Sequence, residues 1–302
     1  MEPQQTGTEQ LLNSFPVVTE KNLSPTRIAW QRFCKNKLAL VGISFLSFII
    51  LVALFADVIA THDPTAANLT KIEAAPDSQN WLGTDGSGRD NFSRLVYGSR
   101  ISLTVGFTAM LCTLLIGGTL GSIAGFYGGK IDGVIMRLVD VMLIFPFLLL
   151  YLTVVALLQD ITVAIFIMVI AITTWPSMCR ILRGKFLSIR EQEYILSARS
   201  IGCSDWRIIR KHFLPNAVGP IIVAATLLMA SLIVAESALS FIGFGIPQPT
   251  PTWGNMLTEA QSIRILRNNP EAWMPPGLCI LLTVLSINFI GDGLRDAFDS
   301  KS

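Results

Sequence analysis

Long apolar stretches alternate with polar segments along the chain. Six of them are long enough to cross a bilayer as an α-helix, which takes roughly 17–25 residues. They are 38–60, 101–125, 138–158, 161–178, 217–244 and 275–291. Only Gln159 and Asp160 separate the third stretch from the fourth, which predicts a tight hairpin. The pattern therefore predicts an all-α integral membrane protein with six transmembrane helices.

The composition agrees with this fold class. The 302 residues are 51% hydrophobic and 15% charged, whereas soluble domains carry about 25% charged residues. The lipid bilayer is thus an expected partner, and a net charge of +2 is too small to favour nucleic acid.

The lysines and arginines orient the predicted helices. With the N-terminus in the cytoplasm, 17 of the 23 cations fall in inner segments and 6 in outer ones. Because positively charged loops stay inside, both termini are expected in the cytoplasm. The five cysteines fit this topology, since none lies in the two outer loops, where disulfides would form.

This topology divides the chain into segments. They are a cytoplasmic tail with a basic amphipathic helix (1–37), a first transmembrane helix (38–60), an outer loop (61–100), a five-helix core (101–291) that includes a cytoplasmic loop (179–216), and a second cytoplasmic tail (292–302). The first apolar stretch is expected to be retained, because no small-residue cleavage site follows it. For the basic helix, which opens at Ser24-Pro25, two interpretations are open: it lies on the inner membrane surface, or it only stops transfer.

Small residues in the second apolar stretch favour helix packing. They recur every four positions, fall on one helical face, and are Gly117, Gly121, Gly125 and Gly129. Such a face lets a second helix approach closely.

Three polar or helix-breaking residues stand inside the apolar stretches. Pro146 and Pro176 each remove a backbone donor and favour a kink. Glu236 lies well inside the fifth stretch, where a carboxylate costs about 2.5–3.5 kcal/mol on insertion scales. Two interpretations of Glu236 are open: it lines a solute path, or it lies in water at the outer interface.

Motifs for catalysis or cofactor binding are missing from the sequence. The closest approach to a nucleotide-binding loop, AGFYGGKI, has Ala124 where the first Gly is needed and Ile131 where Ser or Thr is needed. No CxxC motif or His/Cys cluster indicates a metal site. We therefore expect that this chain binds neither ATP nor another cofactor itself.

One polar segment, SIGCSDWRIIRKHFLPNAVGP, lies between two apolar stretches at 200–220. Its pattern predicts a helix over 191–201 and a turn at Gly202, which suits the position after a helix end. A second helix follows, capped by Ser204 and with Asp205 favourable in its first turn. Pro215 is expected to end it, because the residue before a proline is pushed out of helical geometry.

The second helix is predicted to have two faces. Trp206, Ile209 and Phe213 share one face at i, i+3 and i+7. The cations lie mostly on the other face; they are Arg207, Arg210 and Lys211. Nine or ten residues span only about 14–15 Å, too short to cross the membrane, so the helix is expected to form a knob for a cytoplasmic partner.

The segment EYILSARSIGCSDWRIIRKHFLPN resembles the cytoplasmic "EAA" loop of permease subunits of ATP-binding-cassette importers. The matches at that family's spacing are Ala198, Gly202, His212, Leu214 and Pro215. Leu196 stands where the family usually has Glu, and Ser197 where it has the first Ala. In that family the short helix after the glycine is the coupling helix, which docks into a groove on the ATPase subunit. The resemblance therefore gives this role to the helix that begins at Asp205.

Five more stretches resemble one branch of these importers, the second permease of dipeptide and oligopeptide systems, which also includes nickel and glutathione transporters. They are WQRFCKNKLALVG, WLGTDGSGRDNFSRLVYGSRISL, YGGKIDGVIMRLVDVMLIFP, ESALSFIGFGIPQPTPTWGNML and INFIGDGLRDAFD. The resemblance covers 28–299 and implies a type I importer-permease fold in a prokaryotic cytoplasmic membrane. It also implies three kinds of partner: a homologous second permease, two cytoplasmic ATPase subunits that bind ATP and Mg, and an external solute-binding protein.

A stand-alone secondary transporter is the rival class. Such a protein would need paired ionisable residues within the membrane, and Glu236 has no obvious partner in the sequence. The rival would also leave the basic inner loop unexplained.

Overall fold

The computed structural model describes residues 25–158 and 161–298, which are helical apart from loops, turns and one isolated bridge between Thr84 and Asp90. The helices are α1 (Pro25–Lys35), α2 (Lys37–Leu54), α3 (Ala56–Ile59), α4 (Asn91–Tyr127), α5 (Gly129–Ile144), α6 (Phe147–Leu157), α7 (Val163–Arg190), α8 (Glu193–Ser200), α9 (Asp205–Ile208), α10 (Leu214–Phe241), α11 (Trp253–Met256), α12 (Ile263–Asn268) and α13 (Pro270–Phe298). A π-helical turn, Ile209–Phe213, joins α9 to α10, and a 3-10 turn, Leu257–Gln261, follows α11.

Five helical stretches in the described ranges are long and apolar enough to cross a membrane: α2, α4, α7, the continuous run Asp205–Phe241, and α13. A sixth span results if α5 and α6 count as one, although their axes meet at 84°. The kink predicted at Pro146 is confirmed, since this residue caps α6 at the bend. Pro176 lies inside α7, which runs on without interruption.

Several helices extend beyond the apolar stretches that predicted them. α4 begins at Asn91 rather than at 101, because the carboxylate of Asp90 accepts the Ser93 N–H at 2.8 Å and caps the helix. α13 continues to Phe298, past the predicted end at 291. Hydropathy marks only the lipid-facing part of a helix, so polar turns at its ends escape it. The Gln159–Asp160 hairpin, the Ser24 cap and both predicted tails beyond 25–298 lie outside the described residues.

The glycine face predicted in α4 packs against α7. A Cβ atom on Gly117 or Gly121 would lie 2.4 Å from a backbone oxygen of α7, and one on Gly125 would lie 2.5 Å from a side chain there. These three glycines confirm the predicted close approach. Gly129 does not belong to the contact: it begins α5, and nothing lies within 4 Å of its Cβ position.

Glu236 is enclosed between α4 and α10. Its side chain is fully buried and accepts hydrogen bonds from Ser240 Oγ at 2.9 Å and from Ser102 Oγ at 3.4 Å. The interpretation that places this carboxylate in water is therefore wrong. Its contacts tie α10 to α4, and a place for Glu236 on a solute path stays a prediction.

The predicted outer and inner segments gather at opposite ends of the bundle. At one end Arg89 donates to Gln248, so the loop after α3 lies on the segment after α10. At the other end Phe213 contacts Phe126, and Phe298 packs on Gly219. The segment at 193–213, hereafter the knob, therefore projects from the predicted cytoplasmic end.

Candidate functional site in the knob

The two helices of the knob are joined by a turn at Gly202. Its φ is +79°, a left-handed conformation that residues other than glycine rarely adopt. The Gly202 N–H donates to Arg199 O at 2.9 Å and the Cys203 N–H to Ala198 O at 3.1 Å. This pair of bonds is a Schellman motif, which closes α8. The turn predicted at Gly202 is confirmed, with α8 spanning Glu193–Ser200 instead of 191–201.

Ser204 occupies the N-cap position of α9, as predicted, but its side chain makes no capping hydrogen bond. Its backbone carbonyl accepts the Ile208 N–H at 3.0 Å instead. The predicted hydroxyl cap is therefore wrong, whereas Asp205 does stand in the first turn.

Pro215 does not end the second helix. A π-helical turn precedes α10, and the Leu214 N–H donates to Ile209 O, five residues back. In a regular α-helix a proline ring clashes with the carbonyl four residues before it, and the wider π turn relieves this crowding. Asn216 Nδ2 also donates to His212 O at 2.6 Å. The knob is therefore continuous with the membrane helix α10.

The predicted shared face of Trp206, Ile209 and Phe213 is wrong. Phe213 is fully buried, Ile209 is half-buried, and Trp206 is 70% exposed. A π turn takes more than 3.6 residues, so positions seven apart no longer coincide.

An aromatic support holds the knob from beneath. The Phe213 ring lies 4.9 Å from the Phe126 ring of α4 and 5.7 Å from the Phe186 ring of α7, measured between centroids. Ile208 and Ile195 are buried in the same cluster. We call Phe126, Phe186 and Phe213 the aromatic support; it links the knob to the ends of two long helices.

Contacts of two arginines strengthen the attachment of the knob to the ends of the long helices. The Arg199 guanidinium lies 5.3 Å from the centroid of the Phe126 ring, an arrangement that attracts a cation to the ring face. Arg183 of α7 forms a two-pronged ion pair with Asp132 of α5, with Nη2 at 2.6 Å from Oδ2. The ends of α4, α5 and α7 thus form one base under the knob.

The outward side of the knob presents large apolar side chains. Trp206 is 70% exposed and Ile201 is 80% exposed, and Leu196 and Tyr194 are exposed to a lesser degree. Exposed apolar side chains on a segment too short to cross a membrane offer contacts to a partner. Ile201 and Leu196 are additions that the sequence did not predict. Two features of the sequence could have indicated them: Ile201 directly precedes the glycine that ends the helix, and Leu196 replaces the Glu that is usual in the family.

The other predicted residues divide between the two sides. Ala198 is buried in the aromatic cluster, and His212 is half-buried with its ring 6.1 Å from the Tyr194 ring. The exposed ones are Asp205, Arg207, Arg210, Leu214 and Pro215. Among residues 25–158 and 161–298, no group of three or more His, Cys, Asp or Glu side chains could hold a metal ion.

Comparison with known families gives two matches. Residues 117–302 match the family described as binding-protein-dependent transport system inner membrane component. Residues 24–76 match the N-terminal transmembrane domain of oligopeptide transport permease C.

Individual relatives are similar over nearly the whole chain. A dipeptide transport system permease protein, DppC of Alkalihalophilus pseudofirmus, is 43% identical over 92% of this chain and 91% of its own length. The oligopeptide transport system permease protein OppC of Bacillus subtilis is 39% identical over 94% and 92%. The glutathione transport system permease protein GsiD of Pectobacterium atrosepticum is 39% identical over 96% of each.

A solved structure, the MetNI methionine ABC transporter in an inward-facing conformation, shares the fold. Its matching chain is 20% identical, superposes with a TM-score of 0.57, and covers 68% of this chain and 96% of its own length.

Proposed function

Because this chain belongs to the family of binding-protein-dependent transport system inner membrane components, we propose that it is a permease subunit of an ATP-driven importer of dipeptides or oligopeptides. The dipeptide and oligopeptide permeases among its relatives support this solute class. The multi-pass helical chain would form the solute path with a homologous second permease in a prokaryotic cytoplasmic membrane. An external binding protein would deliver the solute. Two cytoplasmic subunits would bind ATP and Mg, so this chain would itself break no bond.

The exposed Trp206 on a firmly mounted knob carries the proposal that this segment is the coupling element. Trp206 and Ile201 offer apolar contacts to an ATPase subunit, and Arg207 and Arg210 add charge at the rim. Because the π turn joins the knob to α10 without a break, a displacement of Trp206 by an ATPase subunit would be transmitted directly to a membrane helix. The aromatic support contacts α4 and α7, so it would transmit the same displacement to these two helices.

Replacing Trp206 tests this role. We expect Trp206→Ala to weaken retention of the ATPase subunits by about 30-fold, because a central aromatic contributes about 2 kcal/mol or more to an interface. Uptake should fall with it, whereas solute capture by the binding protein should stay unchanged. The measurement is ATPase retention, solute-stimulated ATP hydrolysis and uptake in proteoliposomes that contain the whole complex.

Trp81→Ala is the matched control, since Trp81 is exposed at the opposite end of the bundle. It should leave ATPase retention unchanged. If Trp206→Ala and the double variant Trp206→Ala/Ile201→Ala both keep wild-type retention, hydrolysis and uptake, the knob is only a connector.

We also propose that six spans, with α5 and α6 as one broken span, place both termini inside. The 17-to-6 distribution of cations supports this orientation. In a background without other cysteines, a membrane-impermeant thiol reagent should label Ser87→Cys from outside intact cells but not Cys203. The reverse pattern would overturn the orientation.

Glutathione import by the same machinery is the second candidate, favoured by the 39% identity to a glutathione permease. Glutathione is itself a modified tripeptide, so one path could suit both solutes. Mass spectrometry of the solute retained by the purified complex with its binding protein decides between them.

A further inference from the structure

Helix α1 is fixed to the cytoplasmic end of α13. Ala29 and Phe33 are buried in a cluster with Ala297. A Cβ atom on Gly293 would lie 3.1 Å from the Phe33 ring, so the ring lies flush on the backbone of α13. One face of α1 is therefore committed to the bundle, and its position is set where α13 leaves the membrane.

The exposed side of α1 begins next to this buried face and continues into the exposed apolar surface of α2. Trp30 is 64% exposed, with its ring stacked 6.0 Å from Phe33. One residue after α1 ends, α2 begins, and its first turns expose Leu38 and Val41. Tryptophan concentrates at the boundary between acyl chains and water, so Trp30 marks the depth of the headgroup layer.

Positive charge surrounds this tryptophan. The stretch 25–37 contains no Asp or Glu, and Arg27, Lys35 and Lys37 are exposed. Asp296 of α13 accepts from Asn36 Nδ2 at 3.5 Å, in the short link after α1. Long cationic side chains beside apolar surface extend their charged heads to the interface.

We propose that the exposed face of α1 binds the headgroups of anionic phospholipids in the inner leaflet. The cations supply charge for the phosphate, and Trp30, Leu38 and Val41 supply apolar surface for the glycerol and upper acyl region. An anionic leaflet attracts such juxtamembrane cations. A protein partner is the weaker fit, because the cations flank side chains that face the acyl chains.

The test compares two triple variants in the intact importer complex. The complex is placed in lipid nanodiscs of phosphatidylglycerol and phosphatidylethanolamine, and the lipids that stay bound are measured by native mass spectrometry. The α1 variant is Arg27→Gln/Lys35→Gln/Lys37→Gln. The control removes one arginine and two lysines that are exposed elsewhere on the predicted cytoplasmic side, as Lys130→Gln/Arg137→Gln/Lys185→Gln.

We expect the α1 variant to lose its preference for phosphatidylglycerol by about tenfold, since each cation near an anionic surface contributes a severalfold effect. The control should keep the wild-type preference, and Lys35→Arg/Lys37→Arg should keep it too. Free glycerol phosphate should not compete.

Three results would overturn the proposal. The first is wild-type lipid preference in the α1 variant. The second is an equal loss in both triple variants, which would indicate diffuse charge. The third is loss of the ATPase subunits with lipid preference unchanged, which would make α1 a protein contact.

Discussion

The two ends of the bundle are held together by opposite chemistry. At the predicted outer end, residues 60–90 and 246–262 form what we call the outer cap, and buried charges and hydrogen bonds hold it. At the predicted inner end, aromatic rings hold the knob in place, and Trp206 is exposed on its outward side.

Buried charge in the outer cap centres on Asp85. Its carboxylate accepts from Arg89 Nε at 2.7 Å and faces Arg94 Nε at 3.5 Å, and all three side chains are buried. Arg94 Nη1 has no hydrogen-bond partner among the described residues, whereas Nη2 donates to Asn255 Oδ1 at 3.4 Å. Burial raises the pKa of Glu259 at the edge of this network, and the Asp85 carboxylate adds to the effect.

Charged groups in a low-dielectric site demand fixed partners, because leaving one unpaired is costly. Apolar rings have no such directional requirement and keep most of their contact through small shifts. The outer cap is thus held by contacts that require fixed geometry, whereas the aromatic support of the knob tolerates small shifts.

The largest effect should follow the loss of Asp85. Asp85→Ala leaves two guanidinium groups buried without their carboxylate, and breaking a buried pair from one side costs about 3–5 kcal/mol. We expect a clear fall in melting temperature of the purified complex. Asp77→Asn is the control, because its amide oxygen can still accept from the Gln79 and Asn80 N–H groups. It removes only the exposed ion pair with Lys71 at 3.6 Å, and such pairs contribute about 0–1 kcal/mol. Equal losses for both variants would remove the contrast between a buried and an exposed network.

Truncating the aromatic support should come next. Phe213→Ala opens a cavity between α4, α7 and α10, and burial losses of this kind cost about 3 kcal/mol or more. Because the knob lies at the end of the bundle, we expect faster proteolysis and hydrogen exchange within 193–213, with the outer cap unaffected. Phe213→Leu should restore most of the protection. Loss of protection in the outer cap by Phe213→Ala would show that the two ends are one cooperative unit.

A smaller effect is expected at the turn of the knob. Gly202→Ala forces a side chain into the left-handed region at φ +79°, which costs about 1–2 kcal/mol, although no neighbour lies within 4 Å of the new Cβ. Gly184→Ala is the control, since that glycine has the same open surroundings inside a helix without a positive φ. It should be neutral or slightly stabilising. Hydrogen exchange of the knob measures both, and equal protection in both variants would contradict a conformational role for Gly202.

The sequence predicted some of these features well and missed others for identifiable reasons. Apolar length predicted the five long apolar helices but not the 84° bend between α5 and α6. Glycine spacing predicted the α4–α7 contact, because both features depend on local pattern. The exposure of Trp206 on a different side from the buried Phe213 could not be predicted. It depends on a π turn, whereas the helical pattern assumes 3.6 residues per turn throughout. The Asp85–Arg94 network also escaped prediction, because its partners come from separate turns of a loop without periodicity.

The smallest effect is expected where the chain departs from its family at Leu196. This side chain is exposed in α8, and its position in the fourth residue of the helix suits an acid near the positive helix end. Leu196→Glu should therefore change stability by no more than about 0.5 kcal/mol, and it should keep ATPase retention at or above the wild-type level. Leu196→Lys tests the sign, because a cation there opposes the helix dipole and adds to Arg199 and Arg207. If Leu196→Glu abolishes retention while Leu196→Lys preserves it, the partner surface opposite this position is acidic and the expectation is wrong; loss of retention in both variants would instead make the exposed leucine an apolar contact of the knob.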